Sequence, residues 1–279
     1  MKRIFLFLIL TVLISGLYVA QQTVHAQSSN VDEAAPQHIL AATVQIKLKA
    51  PLYDEAGNRL IGESNGEWRE LNDVANGLGT LVLVDGELLI VTHDHWGEML
   101  LKAEWVEFKD ANGKLLAEIS GLFFRNLLRY RDRGTLLLAA PQELASYAGQ
   151  AVVMEHGLSP TASNEVFLTR HLPGSARVEI VTARVTAVSH ETGIPAYELQ
   201  SVDGQSVVKG DSGGGIWYQG QLVGNMWWTV VAETVSVTAG VETITQKQVT
   251  DSSVAAVYSD AVQQSLVKAE SDMLSLGND

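Results

Sequence analysis

The 279-residue chain has no cysteine, and its 19 basic and 32 acidic residues give a formal net charge of −13. The lack of cysteine excludes a small disulfide-stabilised scaffold and a lipoprotein anchored through a lipidated cysteine. The negative charge argues against nucleic acid or an anionic membrane surface as a partner. A chain of this length can bury a large core, in one domain or in two packed halves.

The N-terminus has the pattern of a secretory signal peptide. Met1-Lys2-Arg3 precedes an almost entirely apolar run, residues 4–20, and small side chains lead up to Ala26. A basic start, an apolar stretch and a small residue at the cleavage point define such a signal. We therefore predict a signal peptide over residues 1–26, a secreted or periplasmic protein, and no stable membrane association after cleavage. Because the apolar run is also long enough to span a membrane, an uncleaved anchor is the alternative.

Short β-like runs separated by turn residues fill most of the remaining chain. Residues 42–48 alternate apolar and polar side chains, which is the period of a half-buried strand. Residues 79–84 and 87–92 flank Asp85-Gly86, and this arrangement predicts a β-hairpin. Further β-like runs are residues 105–109, 114–119, 135–140, 151–154, 178–189, 197–202, 215–218, 221–231 and 234–245. Many short strands with few helical patterns predict an all-β sandwich or barrel.

Helical periodicity occurs only near the end of the chain. Apolar residues recur at intervals of three and four from Val254 to Met273, and Asp251 or Ser252 can serve as N-cap. We predict a C-terminal α-helix within residues 251–279 that packs against the domain.

One serine stands in a glycine-rich turn, Gly210-Asp211-Ser212-Gly213-Gly214, between two β-like runs. Glycine allows a positive φ and lets a substrate approach the main chain closely. A turn that presents one hydroxyl and directs backbone amides at a shared point suits acyl transfer. Ser212 is therefore a candidate nucleophile.

Two histidines are candidates for the base that such a serine needs, because the pKa of histidine lies near neutrality. His93 and His95 follow the second strand of the predicted hairpin, where a strand end can present a side chain rigidly. The same serine pattern also fits the nucleophile turn of α/β-hydrolases, whose order is serine, acid, histidine. No histidine follows Ser212 in the sequence, so that fold is excluded.

A metal site is the second interpretation of the two histidines. Residues two apart on a strand point to the same face, so His93 and His95 could chelate zinc. The segment resembles the start of the metallo-β-lactamase signature, which continues with an Asp-His pair where this chain has Gly97 and Glu98. We predict that the chain uses no metal and no cofactor, and a zinc metallohydrolase is a lesser alternative.

Together these segments resemble the chymotrypsin-like (trypsin-fold) serine proteases. The turn Gly210–Gly214 matches the nucleophile motif of that family. Residues 91–95, Val-Thr-His-Asp-His, resemble the histidine segment of its bacterial high-temperature-requirement branch, and Gly79-Thr80 in the preceding hairpin also matches. Residues 132–138, Asp-Arg-Gly-Thr-Leu-Leu-Leu, match the segment that carries the acid, although Arg133 and Thr135 depart from its apolar pattern.

The resemblance covers about residues 40–250 and implies an all-β fold of two packed six-stranded antiparallel β-barrels. The barrels would span about residues 40–140 and about 150–248 of a protease domain over residues 27–250. The helix within residues 251–279 would belong to the same domain. The implied activity is that of a secreted serine endopeptidase that hydrolyses peptide bonds through an acyl-enzyme intermediate.

The resemblance also implies a role for each site residue. Ser212 would be the nucleophile, His95 the base and Asp132 the acid that orients the imidazole. The backbone amides of Gly210 and Ser212 would form the oxyanion hole. Asp211 would be a structural acid, and we expect activity without a proteolytic activation step.

Substrate contacts are implied in the same way. Ser206 would form the floor of the specificity pocket, and Trp227, Trp228 and Thr229 would form one wall. Because the floor carries no charge, we expect a small or medium-sized apolar residue before the scissile bond. The expected partner is a protein or peptide substrate, and the sequence does not indicate an oligomeric state. A catalytically inactive binding protein on the same fold is the alternative from a different class.

Overall fold

The computed structural model describes residues 34–257, apart from residues 65, 133, 154–157, 190–195, 203, 205–206 and 239–240. The predicted signal peptide, residues 1–26, lies outside the described residues. Within the described part, no helix is both long and apolar enough to cross a membrane.

Strands dominate the described residues, as the all-β prediction requires. The few helices are α1 (Ala34–Ala42), α2 (Met99–Lys102), α3 (Gly121–Asn126) and a 3₁₀ helix (Gln142–Gln150). The strands are β1 (Thr43–Pro51), β2 (Ile61–Ser64), β3 (Glu67–Glu70), β4 (Asn72–Val84), β5 (Glu87–Thr92), β6 (Trp105–Asp110), β7 (Leu115–Ser120), β8 (Leu128–Asp132), β9 (Thr135–Ala139), β10 (Val152–Val153), β11 (Glu165–His171), β12 (Val178–Ser189), β13 (Ala196–Ser201), β14 (Gly215–Tyr218), β15 (Gln221–Thr238) and β16 (Val241–Val257).

The N-terminal half is built on an eight-stranded sheet, which we call the first sheet, and β2 and β3 form a separate two-stranded sheet. The strand order of the first sheet is β7-β6-β1-β4-β5-β9-β8, and β10 pairs in parallel with β4. The predicted hairpin is confirmed, since β4 and β5 pair around Asp85 and Gly86, whose φ angles are +51° and +75°. Two features differ from the six-stranded barrel that we expected: the path of strands is open, and β8 lies at one edge. No residue of β8 is fully buried, since all five are exposed or half-buried.

The C-terminal half is a closed six-stranded barrel with the strand order β11-β12-β13-β16-β15-β14. Strand β16 corrects one prediction, because residues 251–257 lie in it and do not begin a helix. Val254 pairs with Glu198 of β13 on one side and with Trp228 of β15 on the other. Hydrogen bonding to two neighbours, together with the β preference of valine, overrides the helical spacing. The rest of the predicted helix, residues 258–279, lies outside the described residues.

The two halves share part of their core. Trp217 of β14 is fully buried, and it packs with Leu222 of β15 in the apolar cluster of the first sheet. Polar contacts also join the halves, since Gln45 Nε2 donates hydrogen bonds to the carbonyl oxygens of Asp110 (2.8 Å) and Ala176 (2.7 Å). Gln45 of β1 therefore links the end of β6 to the loop between β11 and β12.

Candidate functional site

The turn that carries Ser212 follows β13 and leads into β14. The Ser212 carbonyl accepts a hydrogen bond of 2.8 Å from the amide of Leu78 in β4. The amide of Gly213 donates to the Met226 carbonyl of β15 at 2.8 Å. One turn is thus held by the first sheet and by the barrel at adjacent residues, so Ser212 occupies the junction of the two halves.

Close packing explains the glycines of this turn. A Cβ atom on Gly213, whose φ is +87°, would lie 2.0 Å from the Leu78 carbonyl oxygen. A Cβ atom on Gly214 would lie 2.4 Å from the Thr169 carbonyl oxygen. On the facing strand, a Cβ atom on Gly77 would lie 3.1 Å from the Ser212 carbonyl oxygen. The backbones approach so closely that side chains are excluded on both surfaces.

The structure brings His95 and Ser212 together. His95 Nε2 lies 3.1 Å from Ser212 Oγ, within the reach that a general base needs. Ser212 Oγ also lies 3.3 Å from the carbonyl oxygen of Trp227. Burial lowers the pKa of His95, and the negative charge of Asp94 partly offsets that effect. The imidazole is therefore neutral near pH 7 and can accept a proton from the serine.

His93 has a different environment from His95. It is 3 % exposed, and its ring centroid lies 4.1 Å from that of His95 and 4.1 Å from that of Trp96. Burial holds the pKa of His93 well below its usual value, so the ring is neutral. Its Nε2 lies against Gly77, because a Cβ atom there would be only 2.7 Å away.

A shared zinc site gains no support from this arrangement. His95 Nε2 faces Ser212 Oγ, whereas His93 Nε2 faces a backbone wall. In the described part of the chain, no three His, Cys, Asp or Glu side chains are grouped so that they could hold a metal ion.

Asp132, the predicted acid, ends β8 and pairs with Thr135 across a tight turn at Gly134, whose φ is +86°. Buried Asn225 of the barrel anchors this turn. Its Nδ2 donates to the Gly134 carbonyl at 2.9 Å, and its Oδ1 accepts from Thr135 Oγ1 at 2.9 Å. The position of the segment is therefore well fixed, and the role of Asp132 stays a prediction.

Asp94, which was not among the predicted site residues, brings a carboxylate close to the candidate base. Its Oδ1 lies 4.0 Å from His95 Nδ1. Arg131 holds Asp94 from the other side, since it donates to the Asp94 carbonyl at 3.1 Å and its Nε lies 3.9 Å from Oδ2. Sequence reasoning missed both residues, although the position of Asp94 directly before the candidate base was an available signal.

Asp211 is buried at 1 % exposure, and its carboxylate accepts three hydrogen bonds. Oδ1 accepts from the backbone amide of His171 (2.8 Å) and lies 3.0 Å from His171 Nδ1. Oδ2 accepts from the amide of Val208 at 2.7 Å. These contacts give Asp211 the environment of a structural acid that fixes the serine turn. His171 is a further residue that the sequence did not indicate.

Two backbone amides next to Ser212 Oγ remain available for a ligand. Within the described residues, the amides of Gly210 and Ser212 donate no hydrogen bond to the protein. Gly210 has a φ of +108°, a conformation that strains any other residue. An oxyanion hole needs unpaired, preorganised donors of this kind.

The predicted substrate contacts lie on β15, apart from Ser206, which lies outside the described residues. Trp227 is half-buried, and β15 pairs with β16 at Trp228 and Thr229. The pairing between β14 and β15 ends at Gly215 and Asn225. Beyond Asn225, the second edge of β15 therefore pairs with no other described strand, and this edge begins beside Ser212.

No protein-family model matches the sequence, and no curated protein sequence matches it. The structure is similar to that of the HtrA-type protease AlgW with decapeptide, with a TM-score of 0.50 and 12 % identity. That match covers 83 % of this chain and 65 % of the AlgW chain. The Rv3671c protease of M. tuberculosis H37Rv in its inactive form matches with a TM-score of 0.49 and 14 % identity, over 86 % of this chain and 95 % of its own. From its all-β architecture and the likeness to AlgW, we conclude that the chain has the fold of the chymotrypsin-like serine proteases.

Proposed function

We propose that the protein is a serine endopeptidase that hydrolyses protein or peptide substrates through an acyl-enzyme intermediate. The observation that carries the proposal is the distance of 3.1 Å between His95 Nε2 and Ser212 Oγ. Ser212 Oγ attacks the scissile carbonyl carbon while His95 takes its proton. The protonated imidazole then gives this proton to the leaving amine, and water later releases the acyl group by the reverse use of the same two residues.

The free amides of Gly210 and Ser212 support this chemistry. They would donate to the carbonyl oxygen as it becomes negatively charged during the attack by Ser212, and each such donor contributes about 3 kcal/mol in comparable enzymes. Glycine at position 210 gives the first amide its orientation, because its φ of +108° is not accessible to other residues without strain.

The open edge of β15 supports an extended peptide as the substrate. A strand edge with unpaired backbone groups binds an extended chain by adding it as a further strand. The acyl part of the substrate would pair along Trp227 and Thr229, with a small or medium-sized apolar side chain before the scissile bond. We propose Asp132 as the acid that orients His95, and Asp94 as a second carboxylate that acts on the same ring.

We also propose that the enzyme works outside the cytoplasm, on the basis of the signal-like segment over residues 1–26. N-terminal sequencing of the mature protein should find Gln27 as the first residue. A mature chain that still begins at Met1 would contradict cleavage and favour the uncleaved anchor.

The experiment that tests the activity is labelling with a fluorophosphonate, which reacts only with an activated serine. The wild-type protein should be labelled and should hydrolyse an unfolded protein, and Ser212→Ala should abolish both. Ser120→Ala is the matched control: Ser120 Oγ caps α3 by accepting from the Phe123 amide, and this hydrogen bond involves no candidate site residue, so labelling should persist. A wild-type protein that is neither labelled nor hydrolytic would favour the inactive binding protein instead.

A further inference from the structure

A cavity of about 370 Å³ adjoins the serine turn at Gly210, and Trp227 is not among its described lining residues. Both halves line it: Lys47 of β1 and Lys109 of β6 come from the first sheet, and His171 and Gly210 come from the barrel. Gly210 also supplies one of the two free amides, so the cavity is continuous with the candidate site. We call it the lysine pocket.

The charge of the lysine pocket is opposite to that of the whole chain. Lys47, Lys109, Lys209 and His171 are among the residues that line it, and none of the lining residues that the structure describes is acidic. This contrasts with a chain that has 32 acidic and 19 basic residues. A concave surface with one sign of charge attracts ligands of the other sign.

Two of the three lysines have no partner of their own among the described residues. Lys109 Nζ lies 3.0 Å from Glu107 Oε2, so its charge is largely compensated. Lys47 and Lys209 form no hydrogen bond or ion pair with the described part of the protein. Lys47 is half-buried, which makes a ligand's negative charge more valuable there than at a fully exposed lysine.

The pocket wall is rigidly connected to the catalytic turn. His171 binds the buried carboxylate of Asp211 through both its backbone amide and its ring, and Asp211 immediately precedes Ser212. A Cβ atom on Gly210 would lie 4.0 Å from His171 Nδ1. A group bound against His171 therefore has a fixed position relative to the scissile bond.

The position of the pocket decides which part of a peptide can reach it. The open edge of β15 begins beside Ser212, and the described lining of the pocket includes no residue of β15 or β16. Because the described lining of the pocket shares no residue with β15, we assign the pocket to the leaving-group part of an extended peptide whose acyl part pairs with β15. Each further residue advances the chain by about 3.3 Å.

We propose that the lysine pocket binds a carboxylate carried by the leaving-group part of the substrate, so that the enzyme prefers an acidic residue shortly after the scissile bond. This inference rests on the proposed function and adds a preference that the catalytic residues do not provide. Lys47 and Lys209 supply the attraction, and the wall at His171 and Gly210 sets the distance from the reacting carbonyl.

The test compares internally quenched peptides that differ only by Glu or Gln at the first, second or third position after the scissile bond. For the wild-type enzyme, we expect kcat/KM to be at least about tenfold higher for Glu at one of these positions. The preference should shrink as the salt concentration rises, because salt screens charges. In a Lys47→Gln/Lys209→Gln variant the Glu/Gln ratio should fall to near one, and in Lys47→Glu/Lys209→Glu a peptide with Lys at that position should become preferred.

Lys102→Gln is the matched control. Lys102 pairs with Glu98 and does not line the pocket, so its variant should keep the wild-type ratio. A second pair of peptides, with free and amidated C-termini and Gln at each tested position, separates the two sources of a carboxylate. Faster cleavage of the free form alone would assign the pocket to a terminal carboxylate.

The two proposals fail in different ways. If the wild-type enzyme cleaves Glu and Gln peptides equally and ignores the terminal carboxylate, the lysine pocket proposal is overturned while the peptidase stands. The lysine pocket proposal is also overturned if the Lys47→Gln/Lys209→Gln variant keeps the wild-type Glu/Gln ratio of kcat/KM. If Ser212 is not labelled and no peptide is cleaved, the proposed function is overturned and the substrate preference falls with it.

Discussion

The serine side and the histidine side of the candidate site are built in different ways. On the serine side, glycines pack against backbone atoms and the carboxylate of Asp211 accepts three hydrogen bonds at 1 % exposure. On the histidine side, the ring of His95 is 43 % exposed and the carboxylate of Asp94 lies 4.0 Å away. The fold itself therefore positions the candidate nucleophile, Ser212. The candidate base, His95, depends on a few side chains that can be substituted while the protein stays folded.

Replacing Asp132, the proposed acid on the histidine side, should have the largest effect on activity. Asp132→Asn should lower kcat by about 10⁴, because the imidazole would lose the group that sets its tautomer and stabilises its charge. The melting temperature should change little, since β8 is an edge strand with exposed and half-buried residues. Steady-state kinetics and thermal unfolding measure the two quantities. A loss of less than tenfold would remove Asp132 from the mechanism.

A change on the serine side should affect stability as well as activity. In Gly213→Ala, the new Cβ would lie 2.0 Å from the Leu78 carbonyl oxygen, and φ is +87°. We expect a loss of about 3 kcal/mol or more in urea unfolding, together with loss of fluorophosphonate labelling. Gly57→Ala is the control for backbone strain, because its φ is +83° and its Cβ would meet nothing within 4 Å; it should cost only about 1 kcal/mol. Equal losses in both variants would show that close packing does not hold the turn.

The buried imidazole of His93 should make the histidine side sensitive to acid. Its pKa lies well below 6.5 in the folded state, whereas an exposed histidine in the unfolded state has a pKa near 6.5. The unfolded chain therefore takes up a proton first, and stability falls as the pH drops below about 6.5. The slope is about 1.4 kcal/mol per pH unit for this one group. Urea unfolding between pH 8 and pH 5 should show this slope, and His93→Asn should remove that part of it. An unchanged slope in the variant would contradict the assignment.

The smallest expected effect concerns Asp94. Its negative charge raises the pKa of His95 against the lowering effect of burial. Asp94→Asn should therefore move the acid limb of the pH profile of kcat/KM to lower pH, with a modest change in the plateau. Glu98→Gln is the control, because Glu98 pairs with Lys102 at the surface. If Asp94→Asn instead removes most of the plateau activity while Asp132→Asn does not, Asp94 takes over the role of the acid.

Local patterns in the sequence predicted much of the fold. The turn at Asp85 and Gly86 needs a positive φ at both residues, which these residue types tolerate, so the hairpin of β4 and β5 could be recognised. Residues 251–257 could not be assigned correctly, because their strand depends on partners about 30 and 55 positions earlier in the chain. Pairing with β13 and β15 determines the strand conformation of this segment.

In the candidate site, too, residues in local motifs could be predicted, whereas contacts between residues distant in the sequence could not. Ser212 and the pair His93 and His95 could be recognised as candidates from their residue types, and the family resemblance then selected His95 as the predicted base. Neither the contact between His171 and Asp211 nor that between Arg131 and Asp94 could be recognised, since each joins residues that are about 40 positions apart. The lysine pocket likewise exists only because β1, β6 and β11 bring residues that are far apart in the sequence to the same turn.

The burial of Trp217 has a consequence for how the molecule unfolds. Its strand belongs to the barrel, yet its ring is fully buried in the apolar cluster of the first sheet, together with Leu222. Separating the two halves would expose this shared core to water, at a cost of several kcal/mol for the two side chains. The halves should therefore melt in one cooperative transition, and substrates reach Ser212 over the surface without a hinge that opens between them.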